Sequence, residues 1–169
     1  MTQNEEGLRI GDTSTGLGVF ATRPFSANEF VGDVHGKIIN DLGYDSEYCI
    51  ELSECVVLEP DTPFRFLNHS CGPNCALYWA ETEIDEFGFS SSQIWVETIA
   101  EIAPGEQLTI DYSWPADVAI PCKCGSQNCR GWVVSEEEMN EVQLKTDGQK
   151  DFTPTQNDVF SPNIGRNSS

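Results

Sequence analysis

At 169 residues the chain has room for one domain and a tail; a second full core does not fit. Hydrophobic residues make up 38% and aromatics 10%, enough for a core, while the longest uncharged apolar runs fall far short of the roughly 20 residues that span a bilayer. The net charge is −19, and with 21 acidic against 6 basic side chains in residues 1–134 the excess belongs to the folded part; such a surface repels nucleic acids and anionic membranes and draws in a basic peptide or protein.

The opening residues, Met1 to Glu6, lack the positive start and apolar stretch of a secretory signal, so the expectation is an intracellular protein, cytoplasmic or nuclear and not secreted. Gly16-Leu17-Gly18-Val19-Phe20-Ala21-Thr22 reads as a glycine turn feeding a strand, and Glu29 to Val34 as another. Short strands at Tyr48 to Leu52 and Cys55 to Leu58 bracket a turn, and Phe64 to Asn68 suits a single helical turn. Ile94 to Ile99, β-branched and aromatic, is the clearest strand; Gln107 to Tyr112 follows it after a turn at Pro104-Gly105. Ser135-Glu136-Glu137-Glu138 opens like a capped helix, and 145–169 is polar enough to be a flexible tail. Closely recurring turn signals and scarce helix predict a mostly β fold of short strands.

Seven cysteines, at 49, 55, 71, 75, 122, 124 and 129, disfavour a disulfide framework in a chain without a signal, leaving a metal site or buried thiols. Cys122-Lys123-Cys124-Gly125-Ser126-Gln127-Asn128-Cys129 is a C-x-C-x4-C loop that can fold around one zinc ion. Cys71 and Cys75 are the candidates for the fourth ligand, and four sulfurs would make the site structural.

Arg65-Phe66-Leu67-Asn68-His69-Ser70-Cys71-Gly72-Pro73-Asn74-Cys75 sets small polar residues among apolar ones. On residues alone Asn68 and His69 could hold a ligand, and His69 equally suits a core histidine bonded to backbone. Ser70 directly follows His69, which argues against a serine-histidine nucleophile.

Three motifs therefore stand in order: Gly16 to Ala21, Arg65 to Cys71 with Pro73-Asn74, and Gly105-Glu106-Gln107-Leu108-Thr109-Ile110-Asp111-Tyr112, followed by the cysteine loop with Arg130-Gly131. Together, over about 8–134, they resemble the SET-domain family of S-adenosylmethionine-dependent protein-lysine methyltransferases with a zinc-binding post-SET segment. The resemblance implies small curved β-sheets around a knot-like chain crossing, with a SET domain at 8–115, a post-SET zinc segment at 116–134 and, over 135–169, a short helix then a flexible acidic and polar tail. It implies S-adenosylmethionine held by Leu17, Gly18, Asn68, His69, Tyr112 and Trp132, and zinc held by Cys71, Cys122, Cys124 and Cys129, with Cys75 a free thiol. Trp132 has two readings, against the cofactor or lysine channel and as a hydrophobic plug. By the same resemblance Tyr112 is the catalytic tyrosine, Tyr48 a second catalytic aromatic lining the lysine channel, and Ile110 a channel residue. Many relatives carry Phe or Tyr where Ile110 stands, so the number of methyl groups added is open, with more than one favoured.

The expected activity is methyl transfer to the lysine amine of a basic protein segment, a histone tail or another. A catalytically silent SET-fold adaptor and a methyltransferase for a small amine are the alternatives.

Overall fold

The computed structural model describes residues 6–41, 43, 44, 46, 48–53, 56–84 and 90–142, the side chains of 81–84 and 90–92 excepted. The expected tail at 145–169 and Cys55, the first residue of one predicted strand, lie outside the described residues. Strands are numbered in chain order. The glycine turn joins β1 (Leu8–Thr13) to β2 (Gly16–Ala21) in an antiparallel hairpin that pairs Thr13 with Gly16. β2 pairs in turn with β10 (Gln107–Ile110), and β10 with the two-residue β7 (Asn68–His69). That last pair, Thr109 beside Asn68 and Ile110 beside His69, is the parallel one among the described residues. It lays two of the sequence motifs side by side, although some forty residues separate them.

A second sheet has the order β3-β9-β8, from β3 (Phe30–Asp33), β8 (Cys75–Ile84) and β9 (Ser90–Thr98). A third has the order β4-β6-β5, from β4 (Gly36–Asn40), β5 (Ile50–Ser53) and β6 (Val56–Pro60). A short 3₁₀ helix, Phe64–Phe66, enters β7. The three sheets enclose one core because their strands alternate faces: on β10 Leu108 and Ile110 are buried while Gln107 and Thr109 are only half-buried. Val19, Leu58, Phe64, Leu67, Val96 and Ile102 complete its centre.

The C-terminal segment is built differently. β11 (Ile120–Pro121) and β12 (Trp132–Val133) pair over two residues each, beside a small cluster of Ala116, Val134 and Val142. The expected capping box does not close on itself. The Ser135 amide donates to the Trp114 carbonyl at 2.8 Å, and Glu138 Oε2 accepts from the Ala116 amide at 2.6 Å. Both groups tie this segment to the chain leaving β10, and the helical turn begins later, over 139–142.

Candidate active site and metal centre

The β1–β2 turn presents an open backbone edge. Gly16 has φ +117°, a conformation L side chains rarely adopt, with nothing near where a Cβ would stand, and Leu17 is exposed. At Gly18 a Cβ would come within 2.7 Å of Gln107 and Thr13 side-chain atoms, so the strand tolerates no side chain there without displacement. Asn68 Nδ2 donates to the Leu17 carbonyl at 2.9 Å and thereby fixes this edge against β7.

His69, next along β7, is almost wholly enclosed. The Tyr112 amide donates to its Nδ1 at 3.2 Å, and its Nε2 lies 3.4 Å from Cys71 Sγ. Burial pushes its pKa down to about 4, outweighing the nearby Asp111 carboxylate, with the Arg130 guanidinium adding to the fall. The imidazole is therefore neutral at pH 7, its Nδ1 an acceptor and its Nε2–H turned to sulfur. Its 3.4 Å approach to Asp111 Oδ1 is accordingly a contact between a neutral ring and a carboxylate, not an ion pair. Asp111 has its cation elsewhere: Arg130 Nη2 donates to its two oxygens at 2.8 and 2.7 Å.

Tyr112 follows β10 and faces a pocket lined by Tyr48, Ile50, Leu67, Leu77 and Ile110, with Arg65 also in its wall. Its hydroxyl donates to the Leu67 carbonyl at 2.7 Å. Burial, reinforced by neighbouring Tyr48, raises its pKa to about 12, so the phenol stays protonated at any physiological pH. Tyr48 stands edge-on to Phe66 with its ring 4.6 Å from the Arg65 guanidinium, and Glu59 holds that guanidinium at 3.2 Å.

The sulfurs of Cys71, Cys122, Cys124 and Cys129 all lie within 4.8 Å of one another, Cys71 and Cys122 at 3.7 Å. Four sulfurs around zinc at about 2.3 Å stand about 3.8 Å apart, so the cluster fits a closed tetrahedral zinc site. Cys75 lies apart, buried in the main core, where desolvation raises its thiol pKa to about 12.

The SET domain family model matches residues 16–113, which takes in the glycine turn, β7 and Tyr112. The chain belongs to the SET domain family. Its SET domain is 33% identical to the histone-lysine N-methyltransferase SETD1B of Homo sapiens over 130 residues, 68% of this chain and 6% of that protein. It is 30% identical over 133 residues to the H3 lysine-4-specific histone-lysine N-methyltransferase of Schizosaccharomyces pombe, 69% of this chain and 14% of that protein. The chain thus spans a small part of the length of these relatives. Among solved structures, KRYPTONITE in complex with mCHH DNA, an H3(1-15) peptide and SAH matches with a TM-score of 0.63 at 20% identity, over 75% of this chain and 29% of that one, a likeness of fold.

Of the residues singled out in the sequence, the SET fold brings Leu17, Gly18, Asn68, His69 and Tyr112 into one continuous set around β2, β7 and β10, and Tyr48 and Ile110 into the Tyr112 pocket. Trp132 packs on the small C-terminal cluster, and the residues lining the Tyr112 pocket do not include it. The sequence reading did not assign roles to Asp111, Arg65 or Asn74. Asn74, quoted only as part of a motif, accepts from the Thr109 amide at 2.8 Å and donates to the Gln107 carbonyl at 2.8 Å, so it clamps the strand that carries Ile110 and Tyr112. The available signal for Asp111 was its place immediately before Tyr112.

Proposed function

We propose that this SET domain transfers methyl groups from S-adenosylmethionine to the side-chain amine of a lysine in a basic protein segment, with a histone H3 tail the first substrate to test. The observation that carries the reading is the apolar pocket under Tyr112, joined through β7 and β10 to the open glycine edge. The likeness to histone-lysine methyltransferases supports the reaction class, and the −19 charge supports a basic substrate. A histone substrate would put the protein in the nucleus.

The backbone of Leu17 and Gly18, entered past the open Gly16, would receive the cofactor beside Asn68 and His69, and Cys71, Cys122, Cys124 and Cys129 would hold zinc. When bound, S-adenosylmethionine would supply an electrophilic methyl group on a sulfonium, to be taken by in-line attack of the lysine nitrogen on the methyl carbon as the C–S bond breaks and the sulfur leaves with its electron pair as a neutral thioether. For that the lysine must be neutral, although its reference pKa is about 10.4. Ile50, Leu67, Leu77 and Ile110 surround the pocket with apolar groups that disfavour an ammonium and so favour the free amine. The Tyr112 proton is committed to the Leu67 carbonyl, leaving oxygen lone pairs to accept an N–H from the amine and aim it. With Tyr48 opposite, the contribution of these side chains is orientation and exclusion of water rather than proton abstraction, since a phenol with a pKa near 12 is no base at pH 7. Ile110 lacks a hydroxyl that would hold a partly methylated amine in one orientation, which supports addition of more than one methyl group.

The test is radiolabelled methyl transfer onto core histones, with Tyr112→Phe alongside. Label on lysine, reduced at least about 100-fold in the variant while S-adenosylmethionine binding stays within a few-fold, is the expected outcome. Absence of both transfer and cofactor binding in the native chain would sink the reading and favour an adaptor.

A further inference from the structure

One side chain runs from the cysteine loop to Asp111, the residue immediately before Tyr112. We propose that the Arg130–Asp111 pair is the strut through which the four-cysteine segment fixes Tyr112, Arg130 and Asp111 being positioning residues; this rests on the reading of Tyr112 and of the zinc site just given.

Arg130 belongs to the cysteine loop by its backbone. It stands between Cys129, one of the four clustered cysteines, and Gly131. On the far side of it the Gly131 amide points to Cys129 Sγ at 3.4 Å and the Gly131 carbonyl accepts from the Cys122 amide at 2.9 Å. Its side chain leaves the loop, becomes largely buried and ends with Nη2 on both oxygens of Asp111. Before Ser135 only five other Lys or Arg side chains are present, against 21 acids, so one of few cations is spent inside the protein on a single carboxylate.

Asp111 in turn brackets Tyr112. Its Oδ1 accepts from the Ser113 amide at 3.0 Å, holding Ser113 at φ +49°, in the left-handed region that a non-glycine residue rarely occupies. On the other side the Tyr112 amide is held by His69, whose second ring nitrogen faces Cys71. Both supports of the Tyr112 backbone therefore end at the cysteine cluster, one through Arg130 and one through His69. An exposed ion pair is worth little, but a largely buried guanidinium donating twice to a carboxylate is among the stronger bonds available to a side chain. Metal binding that orders residues 129–131 would order Asp111 by the same stroke, and loss of Arg130 would cut that path while leaving every cysteine in place.

Amide hydrogen exchange resolved by NMR, with zinc content measured in parallel, tests the strut. In Arg130→Ala the Ser113 amide should exchange at least about tenfold faster and the Tyr112 amide, still held by His69, by a smaller factor, with zinc per chain unchanged and the Leu108 amide as protected as before. Chelation of the native protein should raise exchange at the same two amides; chelation of Arg130→Ala should add little at Ser113, which is held through Asp111, and more at Tyr112, whose amide is also held through His69 and Cys71. Arg130→Lys, which keeps a charge and a donor without the planar fork, should recover part of the protection. In the transfer assay kcat should fall by more than S-adenosylmethionine binding weakens. Unchanged exchange at Tyr112 and Ser113, loss of zinc on substituting Arg130, or an equal rise throughout β10 would each overturn the proposal. A native protein that transfers no methyl group would remove the functional reading alone, because exchange and zinc content still decide the strut.

Discussion

The two cores of this SET domain protein hold together by different means. The three sheets share one cluster of sixteen buried residues among those described, whereas after β10 the buried cluster is Ala116, Val134 and Val142, with Trp114 and Val133 buried beside the chain leaving the sheets. The first has enough apolar area to order itself. The second has a two-residue strand pair and a loop of cysteines, and burial on that scale does not offset the entropy of ordering roughly 25 residues at about 1–2 kcal/mol of backbone each. Its order comes from links to other groups: Glu138 on the Ala116 amide, Arg130 on Asp111 and the four clustered sulfurs, which a shared zinc ion would tie together. The large core positions the pocket, and the small segment keeps its order only while those links last.

Removing the metal tests that difference most severely. For a site with no preformed counterpart in the unfolded chain, the free energy of metal binding is folding free energy, on the order of 10 kcal/mol for structural zinc. Chelation, or Cys124→Ser, should raise exchange of the Cys122 amide at least tenfold while the Leu108 and Val96 amides keep their protection, and should weaken S-adenosylmethionine binding. Equal loss of protection in both regions would break the comparison and make the chain one cooperative unit. Freshly purified, reduced protein without zinc would remove the four-cysteine assignment itself.

Truncating each core sharpens the same contrast at smaller cost. Leu108 is fully buried on β10, and Leu108→Ala should lower global stability by about 2–5 kcal/mol in urea unfolding. Val142→Ala removes two methyl groups from the small cluster and should cost about 1–2 kcal/mol, read as faster exchange over 116–142 with the main unfolding transition unmoved. A shift of the main transition by Val142→Ala as large as that by Leu108→Ala would merge the two regions.

The same division governs what could be read in advance. β2, β9 and β10 carry their own signals, a glycine turn or β-branched and aromatic runs bounded by turns, and they form where expected. β8 was not anticipated, because Cys-Ala-Leu-Tyr-Trp-Ala-Glu-Thr-Glu-Ile mixes weak strand formers with aromatics and is a strand by virtue of its long register with β9. β11 and β12 are too short to have a period. The parallel contact of β7 with β10 leaves no local trace, since it depends on where distant segments meet. At the site, the residue types were legible in the motifs, but the partners were not: nothing in the spacing said that Asp111 would meet Arg130, or that Ser135 and Glu138 would bond neighbouring chain instead of capping their own helix.

Alkaline pH should produce the smallest effect, and in the larger region it acts through two buried groups. Tyr112 has its pKa raised from 10.0 to about 12 and Cys75 from 9.0 to about 12, in both cases chiefly because burial penalises the charged form. Each therefore gives up its proton more readily in the unfolded chain than in the folded one. Below about pH 8, a unit under the Cys75 reference value of 9.0, both groups are neutral in both states and contribute no pH dependence. As pH rises from there towards about 12 the unfolded state binds fewer protons, so stability falls with pH through that window. Urea midpoints measured from pH 8 to 10.5 should decline, and Tyr112→Phe and Cys75→Ala should each flatten the decline, Cys75→Ala from the lower pH. If both variants keep the native slope, ionisation in the main core is not what alkali attacks, and the fall must originate at the cysteine segment.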